Sequence, residues 1–177
     1  MSRQKITGAL IAAVTLAGTA ALAAQPALAQ AKGSSAPAAS ASSRPVSNEL
    51  ALFAATNKDG AANGQKPLQF DPKLLSISGQ RARSQLGSKP LTHYDASGKL
   101  VFQQLLGNAH VSYGLAGENL ARASNPTGDV TGRVEQALMK SPEHRANILD
   151  GRLTRVAIGS AMDPTTHQMT FAGEFRD

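Results

Sequence analysis

The segment SPEHRANIL, residues 141–149, is the stretch from which we interpret the rest of the chain. Ser141 is a good N-cap residue, because its hydroxyl can accept from the free N–H groups of a first helical turn. Pro142 suits the first helical position, where its missing N–H costs nothing. Glu143 adds negative charge at the positive end of the helix dipole. We therefore predict a short helix that presents His144 outward on its first turn and is anchored in a core at its far end.

The first 29 residues have the composition of a secretory signal. A charged start at Arg3 and Lys5 precedes an alanine-rich apolar run over residues 9–24, and Ala27-Leu28-Ala29 has the small-x-small pattern of a cleavage site. The apolar run is too short for a membrane span, which needs about 20 residues. We predict export with cleavage before Gln30 and no transmembrane segment afterwards. The alternative is a retained N-terminal anchor.

Residues 30–45, QAKGSSAPAASASSRP, contain almost no large apolar side chain. A segment of this composition cannot bury enough apolar surface to offset the entropy lost on ordering, so we predict a disordered linker. The folded domain then covers residues 46–177, which is long enough to enclose a core.

The charge and the residue types exclude several functions. The full chain has 18 basic and 12 acidic side chains, a net charge of +6, which falls to +4 without Arg3 and Lys5. No basic run is interleaved with aromatic residues and tryptophan is absent, so nucleic-acid binding has no support. The mild positive charge could attract anionic cell-envelope polymers, although a solvated basic surface is the simpler explanation. The absence of cysteine excludes disulfides, thiol catalysis and cysteine metal ligands.

Two helices are predicted in the first third of the folded domain. The first runs from Ser47 to about Asn57 and is followed by a polar loop over residues 58–64. The second begins at Asp71-Pro72 with a cap and a first-turn proline. Gly79, in its middle, costs about 1 kcal/mol relative to alanine and indicates that another element approaches closely. In the first helix, the predicted inner face consists of Leu50, Phe53, Ala54 and Asn57. In the second helix it consists of Leu75, Ser78 or Gly79, Ala82 and Leu86. The side chains of the second helix predicted to face solvent are Arg81, Arg83 and Gln85.

The remaining elements include the strands of a sheet. We predict a short helix over residues 99–106, a strand within residues 113–122, and a helix from Asp129 or Thr131 that ends before Ser141. Strands over residues 155–162 and 168–175 close the chain. The last strand alternates, with Met169, Phe171, Gly173 and Phe175 on one side and Gln168, Thr170, Ala172 and Glu174 on the other. This order of elements is typical of an α+β fold with an antiparallel sheet.

Two motifs carry a resemblance to a known family. Residues 117–121 are GENLA and residues 139–149 are MKSPEHRANIL. In this order they resemble the bacterial branch of the CAP superfamily, also called SCP-like, whose patterns are G-E-N-[IL]-A and W-M-x-S-P-G-H-R-x-N-I-L. The match extends from about residue 48 to 175. Weaker matches to the family pattern are Asn57, Pro67-Leu68 with Asp71 and Leu74, and Thr92-His93 with Asp95 and Gly98. The sequence departs from the family pattern at Gly60, Arg81, Leu138, Ser141 and Glu143.

The resemblance implies a three-layer α–β–α sandwich with a small antiparallel sheet. It also implies that His93, Glu118 and His144 converge in a solvent cleft, with Asn119 and Arg145 beside them. Two neutral imidazoles and one carboxylate can hold a divalent metal, zinc first, and leave a position open for water. Two alternatives are a metal-free cluster in which Glu118 accepts hydrogen bonds from both histidines, and acid–base chemistry by a histidine–carboxylate pair.

The other polar residues of the two motifs have simpler interpretations. Asn119 and Asn147 are expected to tie loop backbone together through their amides. Arg145 could pair with Asp150 or Glu143 or meet an anionic ligand, and the ion pair is the simpler expectation. His110 and His167 lie outside the motifs and are expected at or near the surface.

Taken together, the sequence features and the resemblance predict an exported, monomeric binding or interaction module in the periplasm or outside the cell, which would use the cleft of His93, Glu118 and His144 for a ligand or metal. Its partner would be a small ligand, a lipid or a cell-envelope component. A first alternative is a metal-dependent hydrolase of the cell envelope in which Glu118 or a histidine acts as the base. A second is a lipid carrier, which requires a wide apolar groove between helices.

Overall fold

The computed structural model describes residues 47–87, 90–124 and 126–177, together with the backbone of residues 5–6 and 14–16. Apart from those two short stretches, the predicted signal segment lies outside the described residues, as does the predicted linker over residues 30–45. Among the described residues, no helix combines the length and the apolar character that crossing a bilayer requires.

Within this part of the chain there are five helices and six strands. The helices are α1 (Ser47–Ala62), α2 (Pro72–Ser84), α3 (Val101–Asn108), α4 (Val130–Lys140) and α5 (Pro142–Leu149). The strands are β1 (Lys5–Ile6), β2 (Val14–Leu16), β3 (Gln69–Phe70), β4 (Leu115–Ala123), β5 (Arg155–Met162) and β6 (Met169–Arg176).

The centre of the sheet is antiparallel. Strand β6 lies between β4 and β5 and pairs antiparallel with both. The two-residue strand β3 extends the sheet beyond β5 in parallel, and β1 and β2 pair in parallel with the outer edge of β4. The register places Glu118 of β4 directly opposite Glu174 of β6.

The two faces of the sheet differ in side-chain size because successive residues of a strand point to opposite faces. One face carries Phe171 and Phe175 and packs in a core with residues of α1, α4 and α5. The other carries small residues such as Ala157 and Ala172 and packs against α2 and α3. Helices therefore cover both faces, and the predicted α–β–α sandwich is confirmed.

Strand β5 and helix α2 meet at backbone distance. A Cβ built on Gly159 would lie 2.2 Å from the carbonyl carbon of Ser78 and 2.3 Å from the backbone nitrogen of Gly79. No side chain fits there, so the close approach predicted at Gly79 is confirmed, and a glycine on β5 makes it possible. The predicted start of α2 is also confirmed, because Asp71 accepts a hydrogen bond from the backbone N–H of Lys73 at 3.0 Å.

Helix α1 differs from its prediction in length and orientation. It continues to Ala62, through the segment predicted as a polar loop. Its buried face is Glu49, Leu52, Thr56 and Gly60, whereas Leu50 is 52% exposed. Of the residues predicted to face inward, Phe53 does pack against the core, whereas Leu50 and Ala54 are exposed. Glu49 is buried instead, and its side chain accepts a hydrogen bond from the backbone N–H of Ser160 at 2.9 Å.

Candidate functional site

The carboxylate of Glu118 is the centre of a buried polar cluster. Glu118 lies on the small-residue face of β4 and is 0% exposed. Arg81 donates to both of its oxygens, from Nε to Oε2 at 2.6 Å and from Nη2 to Oε1 at 3.1 Å. His93 Nδ1 lies 2.6 Å from Oε1. Because an ionised carboxylate can only accept hydrogen bonds, Nδ1 carries the proton in this arrangement.

Arg81 was predicted to face solvent, and that prediction is wrong. Its side chain is 2% exposed and points from α2 toward the sheet. Its Nη2 also donates to the backbone carbonyl of Thr92 at 2.7 Å. Burying a charge is tolerable only when it is paired and hydrogen-bonded, and Glu118 and Thr92 together meet that requirement. Gln85, predicted on the same exposed side, is buried too, with its Nε2 donating to the carbonyl of Thr92 at 3.1 Å.

Glu174 is a member of the cluster that sequence reasoning did not select. It lies on β6 opposite Glu118 and is buried, and among the described residues no N–H or hydroxyl donor reaches either of its carboxyl oxygens. Burial, reinforced by the neighbouring carboxylate of Glu118, raises the pKa of Glu174 well above its ordinary value. The alternation of the last strand was the available signal, since it places this carboxyl on the same face as Thr170 and Ala172.

His144 is buried, although the sequence predicted that α5 would present it outward. The side chain is 0% exposed, and neither ring nitrogen has a hydrogen-bond partner in the described residues. Burial, together with His93 nearby, lowers the pKa of His144 to about 4. Pro142 does occupy the first turn as predicted, but Ser141 makes no side-chain cap bond. The first turn faces inward because α5 packs on α4 and β4.

Opposing effects set the charge of Glu118. Burial alone would raise its pKa, but the hydrogen bonds from His93 and Arg81 and the positive charge of Arg81 outweigh burial, so the pKa lies below its ordinary value. The cluster therefore contains an ionised Glu118 beside a carboxyl group, Glu174, that is held neutral. One carboxylate charge is balanced by one guanidinium.

Asn119 and Asn147 have the structural role predicted for them. Asn147 Nδ2 donates to Asn119 Oδ1 at 2.8 Å, and Asn119 Nδ2 donates to the backbone carbonyl of His144 at 3.1 Å. Gly117 makes room for this link, because a Cβ there would lie 2.8 Å from Asn147 Oδ1. These amides fix α5 on β4 from the face of the sheet opposite Glu118. Asn119 therefore does not share a cleft with the cluster.

Arg145 lies on the surface, away from the cluster. Its Nη2 donates to Oδ1 of Asn63 at 3.1 Å. The predicted partner Asp150 is instead bound by Arg152, with 2.6 Å between Nη2 and Oδ2. The prediction of an Arg145 ion pair with Asp150 is therefore wrong. His110 and His167 are exposed, as expected for histidines outside the motifs.

The described residues do not show a metal site built from His93, Glu118 and His144. Both oxygens of Glu118 are already engaged, and the cation beside them is the guanidinium of Arg81. Within the described residues, no group of three or more His, Cys, Asp or Glu side chains is placed to hold a metal ion. The hydrogen-bonded alternative is also modified, because the second donor to Glu118 is Arg81 instead of His144. The metal set stays a prediction that a titration can test.

Three clefts among the described residues lie away from the cluster. One, of about 560 Å³, lies beside residues 64–69 and the turn after α5. Another, about 430 Å³, lies between α1 and α4. A mostly apolar cavity between α1, α4 and the sheet, of about 10 Å³, has room for at most about one water molecule and none for an acyl chain.

Solved structures share this fold. An outer surface protein from Borrelia burgdorferi superposes with a TM-score of 0.62 and 18% identity, over 73% of this chain and 92% of that chain. An extracellular protein containing an SCP domain from Bacillus anthracis superposes with a TM-score of 0.59 and 19% identity, over 73% of this chain and 40% of that chain. Both are bacterial proteins described as extracellular or surface proteins, and the likeness shows the fold alone.

Sequence comparison gives the family. The uncharacterized protein YkwD from Bacillus subtilis is 26% identical over 119 residues, which are 67% of this chain. The chain spans 44% of the length of that relative. The family model described as "CAP: Cysteine-rich secretory protein family" matches residues 53–173. Because that match covers more than half of the chain and agrees with the fold, the chain belongs to the CAP, or cysteine-rich secretory protein, family.

Proposed function

We propose that this protein is an exported CAP-type binding module in which the Arg81–Glu118–His93 cluster stabilises the domain and does not catalyse a reaction. The observation that carries the proposal is the closure of the cluster. Arg81, His93 and Glu118 are each at most 2% exposed, and both oxygens of Glu118 are occupied. One scaffold can host several activities, so the argument rests on this site and not on the fold.

Catalysis by Glu118 would require a substrate within hydrogen-bond reach of its oxygens. Its pKa is lowered and both of its oxygens already accept hydrogen bonds, from Arg81 and His93, so it is a poor general base. His144 could act as a base in its neutral form, but it is fully buried as well. The geometry therefore favours a module that binds its ligand at another surface.

Export of the mature domain is the second part of the proposal. It is supported by the charged start, the apolar run and the AxA-type pattern at residues 27–29, and by the extracellular or surface location of the structural relatives. Expression of the full chain in a bacterial host, followed by mass spectrometry of the secreted fraction, tests it. A mature N-terminus at Gln30 supports export by cleavage. Intact protein found only inside the cell contradicts it.

Turnover and zinc binding test the role of the cluster directly. Wild type and Glu118→Gln are assayed on peptide, ester and peptidoglycan substrates and titrated with zinc, with Glu143→Gln as a control outside the cluster. We expect no turnover that depends on Glu118. We also expect that Glu118→Gln does not reduce the number of zinc ions bound below that of wild type and Glu143→Gln. Activity or zinc binding lost in a folded Glu118→Gln variant, and kept in Glu143→Gln, would contradict the proposal.

A further inference from the structure

A cleft of about 560 Å³, which we call the loop cleft, lies between two connecting segments. Residues 64–69, between α1 and β3, form one wall. Asp150, Gly151 and residues 153–155, between α5 and β5, form most of the other. None of the residues of the buried cluster lines it, so a ligand here would be independent of Glu118.

The walls of the loop cleft are held in place by hydrogen bonds of their own. The side chain of Asn57 binds both backbone groups of Leu68, with its Oδ1 accepting from the N–H at 2.7 Å and its Nδ2 donating to the carbonyl at 3.2 Å. The N–H of Gln69 donates to the carbonyl of Thr154 at 2.8 Å and joins the two walls. A preformed cleft loses little entropy when a ligand binds.

The charge of the loop cleft is positive. Its one acidic side chain, Asp150, is bound by Arg152 through two hydrogen bonds of 2.9 and 2.6 Å, so that charge is balanced. Lys66 and Arg155 also line the cleft, and no carboxylate pairs with either of them within residues 47–87, 90–124 and 126–177. The cleft is therefore lined by two cations that no carboxylate of the described residues neutralises.

The remaining polar groups of the loop cleft are uncharged hydrogen-bonding groups. Gln65, Gln69 and Thr154 contribute amides and a hydroxyl, which can donate to and accept from the hydroxyl groups of a ligand. Cations beside amides and a hydroxyl suit a ligand that carries both anionic groups and hydroxyls. A purely apolar ligand would leave these groups without partners.

We propose that the loop cleft binds an anionic, hydroxyl-rich polymer, with Lys66 and Arg155 bound to its phosphate or carboxylate groups and Gln65, Gln69 and Thr154 to its hydroxyls. This inference rests on the proposed function, since it names the ligand of an exported binding module. The two can fail separately. Turnover that depends on Glu118 would refute the proposed function, whereas the experiment below concerns only the loop cleft.

The test measures binding of the mature protein to three polymers by isothermal titration calorimetry. The probes are poly(glycerol phosphate), polygalacturonate and neutral dextran. The variant Lys66→Gln/Arg155→Gln removes the two cations of the cleft. The control Lys99→Gln/Arg133→Gln removes two exposed cations that do not line the cleft, so the net charge of the two variants is equal. Circular dichroism checks that both variants are folded.

We expect wild type to bind at least one of the anionic polymers and not dextran, and the anion that binds better identifies the preferred group. Loss of two charge-assisted contacts should weaken binding about tenfold or more in the cleft variant. The control variant should change affinity less than about twofold. Equal losses in the two variants would show attraction to net charge alone and overturn the proposal, as would failure of wild type to bind either anionic polymer.

Discussion

Glu118 and Glu174 lie directly opposite one another on β4 and β6, and the two carboxyl groups have opposite protonation preferences. Hydrogen bonds from His93 and Arg81 keep the pKa of Glu118 low against the effect of burial. Glu174 has no such donors among the described residues, so burial and the charge of Glu118 raise its pKa. Two neighbouring carboxyl groups rarely ionise together in a buried site, and here the hydrogen bonds from His93 and Arg81 to Glu118 decide which one does.

Replacement of Glu174 by glutamine should change how stability depends on pH. A carboxyl whose pKa is raised in the folded state binds its proton more tightly there than in the unfolded chain. The stability it contributes is present below the unfolded pKa of about 4.5 and is lost as the pH rises toward the folded pKa. At pH 8, we expect the free energy of unfolding of Glu174→Gln to exceed that of wild type by about 1–3 kcal/mol. At pH 4, the two values should differ little.

Urea denaturation of both proteins at intervals from pH 4 to 8 measures this difference. Glu143→Gln, a change outside the cluster, serves as the control and should follow the wild-type curve. Parallel curves for wild type and Glu174→Gln over the whole range would show that Glu174 is not held neutral by the fold.

His144 should produce the opposite dependence on the acid side. Its pKa of about 4 in the folded protein lies below the ordinary value of 6.5, so the unfolded chain binds the proton more readily between these values. Stability is complete above pH 6.5 and falls as the pH drops toward 4, by an amount on the order of a few kcal/mol. We expect the free energy of unfolding of His144→Gln to fall less steeply than that of wild type over this pH range.

The exposed histidine His110 provides the control for that experiment. His110→Gln should keep the wild-type slope of unfolding free energy between pH 6.5 and 4. NMR of the imidazole protons gives a direct reading, because the His144 signal should stay that of a neutral ring at pH 5.5. A His144 ring that titrates near pH 6.5 would refute the assignment.

Gly117→Ala should destabilise the domain by about 1–3 kcal/mol. The added methyl group would lie 2.8 Å from Asn147 Oδ1, so the amide would have to move and weaken its links to Asn119 and the backbone of Glu118. Gly107→Ala in α3 is the matched control, since nothing lies within 4 Å of the added atom. It should be neutral or stabilise by up to about 1 kcal/mol. Thermal melts of the two variants separate these outcomes, and equal melting temperatures would contradict the packing argument.

Local signals in the sequence predicted most of the backbone. The cap at Asp71-Pro72 places the start of α2 correctly, and the alternation of Met169, Phe171, Gly173 and Phe175 assigns the faces of β6 correctly. Both features depend on neighbouring residues only, through capping geometry and the two-residue period of a strand. The start of α5 at Pro142 was also predicted correctly, from the preference of proline for the first helical turn, although Ser141 makes no side-chain cap bond.

The buried polar residues could not be predicted in this way. Arg81 and Glu49 are polar and were assigned to solvent or left out of the inner face, yet each is buried by a partner far away in the sequence, Glu118 and the backbone of Ser160. The prediction that His144 is exposed was wrong, because the orientation of a short helix is set by tertiary packing and not by its own cap. Contacts between residues far apart in the sequence determine whether these side chains are buried, and such contacts cannot be identified from a single sequence.

The central claim is that Arg81 and Glu118 stabilise the domain as a buried pair, and a double-mutant cycle measures that coupling most directly. Urea denaturation at pH 7 would compare wild type, Arg81→Met, Glu118→Gln and the double variant, with the exposed Arg83→Met as a control. We expect Arg81→Met to cost about 3–5 kcal/mol, because it leaves the Glu118 charge unpaired. The double variant should be more stable than the sum of the single losses predicts, by about 2–3 kcal/mol. Additive losses, with no coupling beyond the error of the measurement, would contradict the claim.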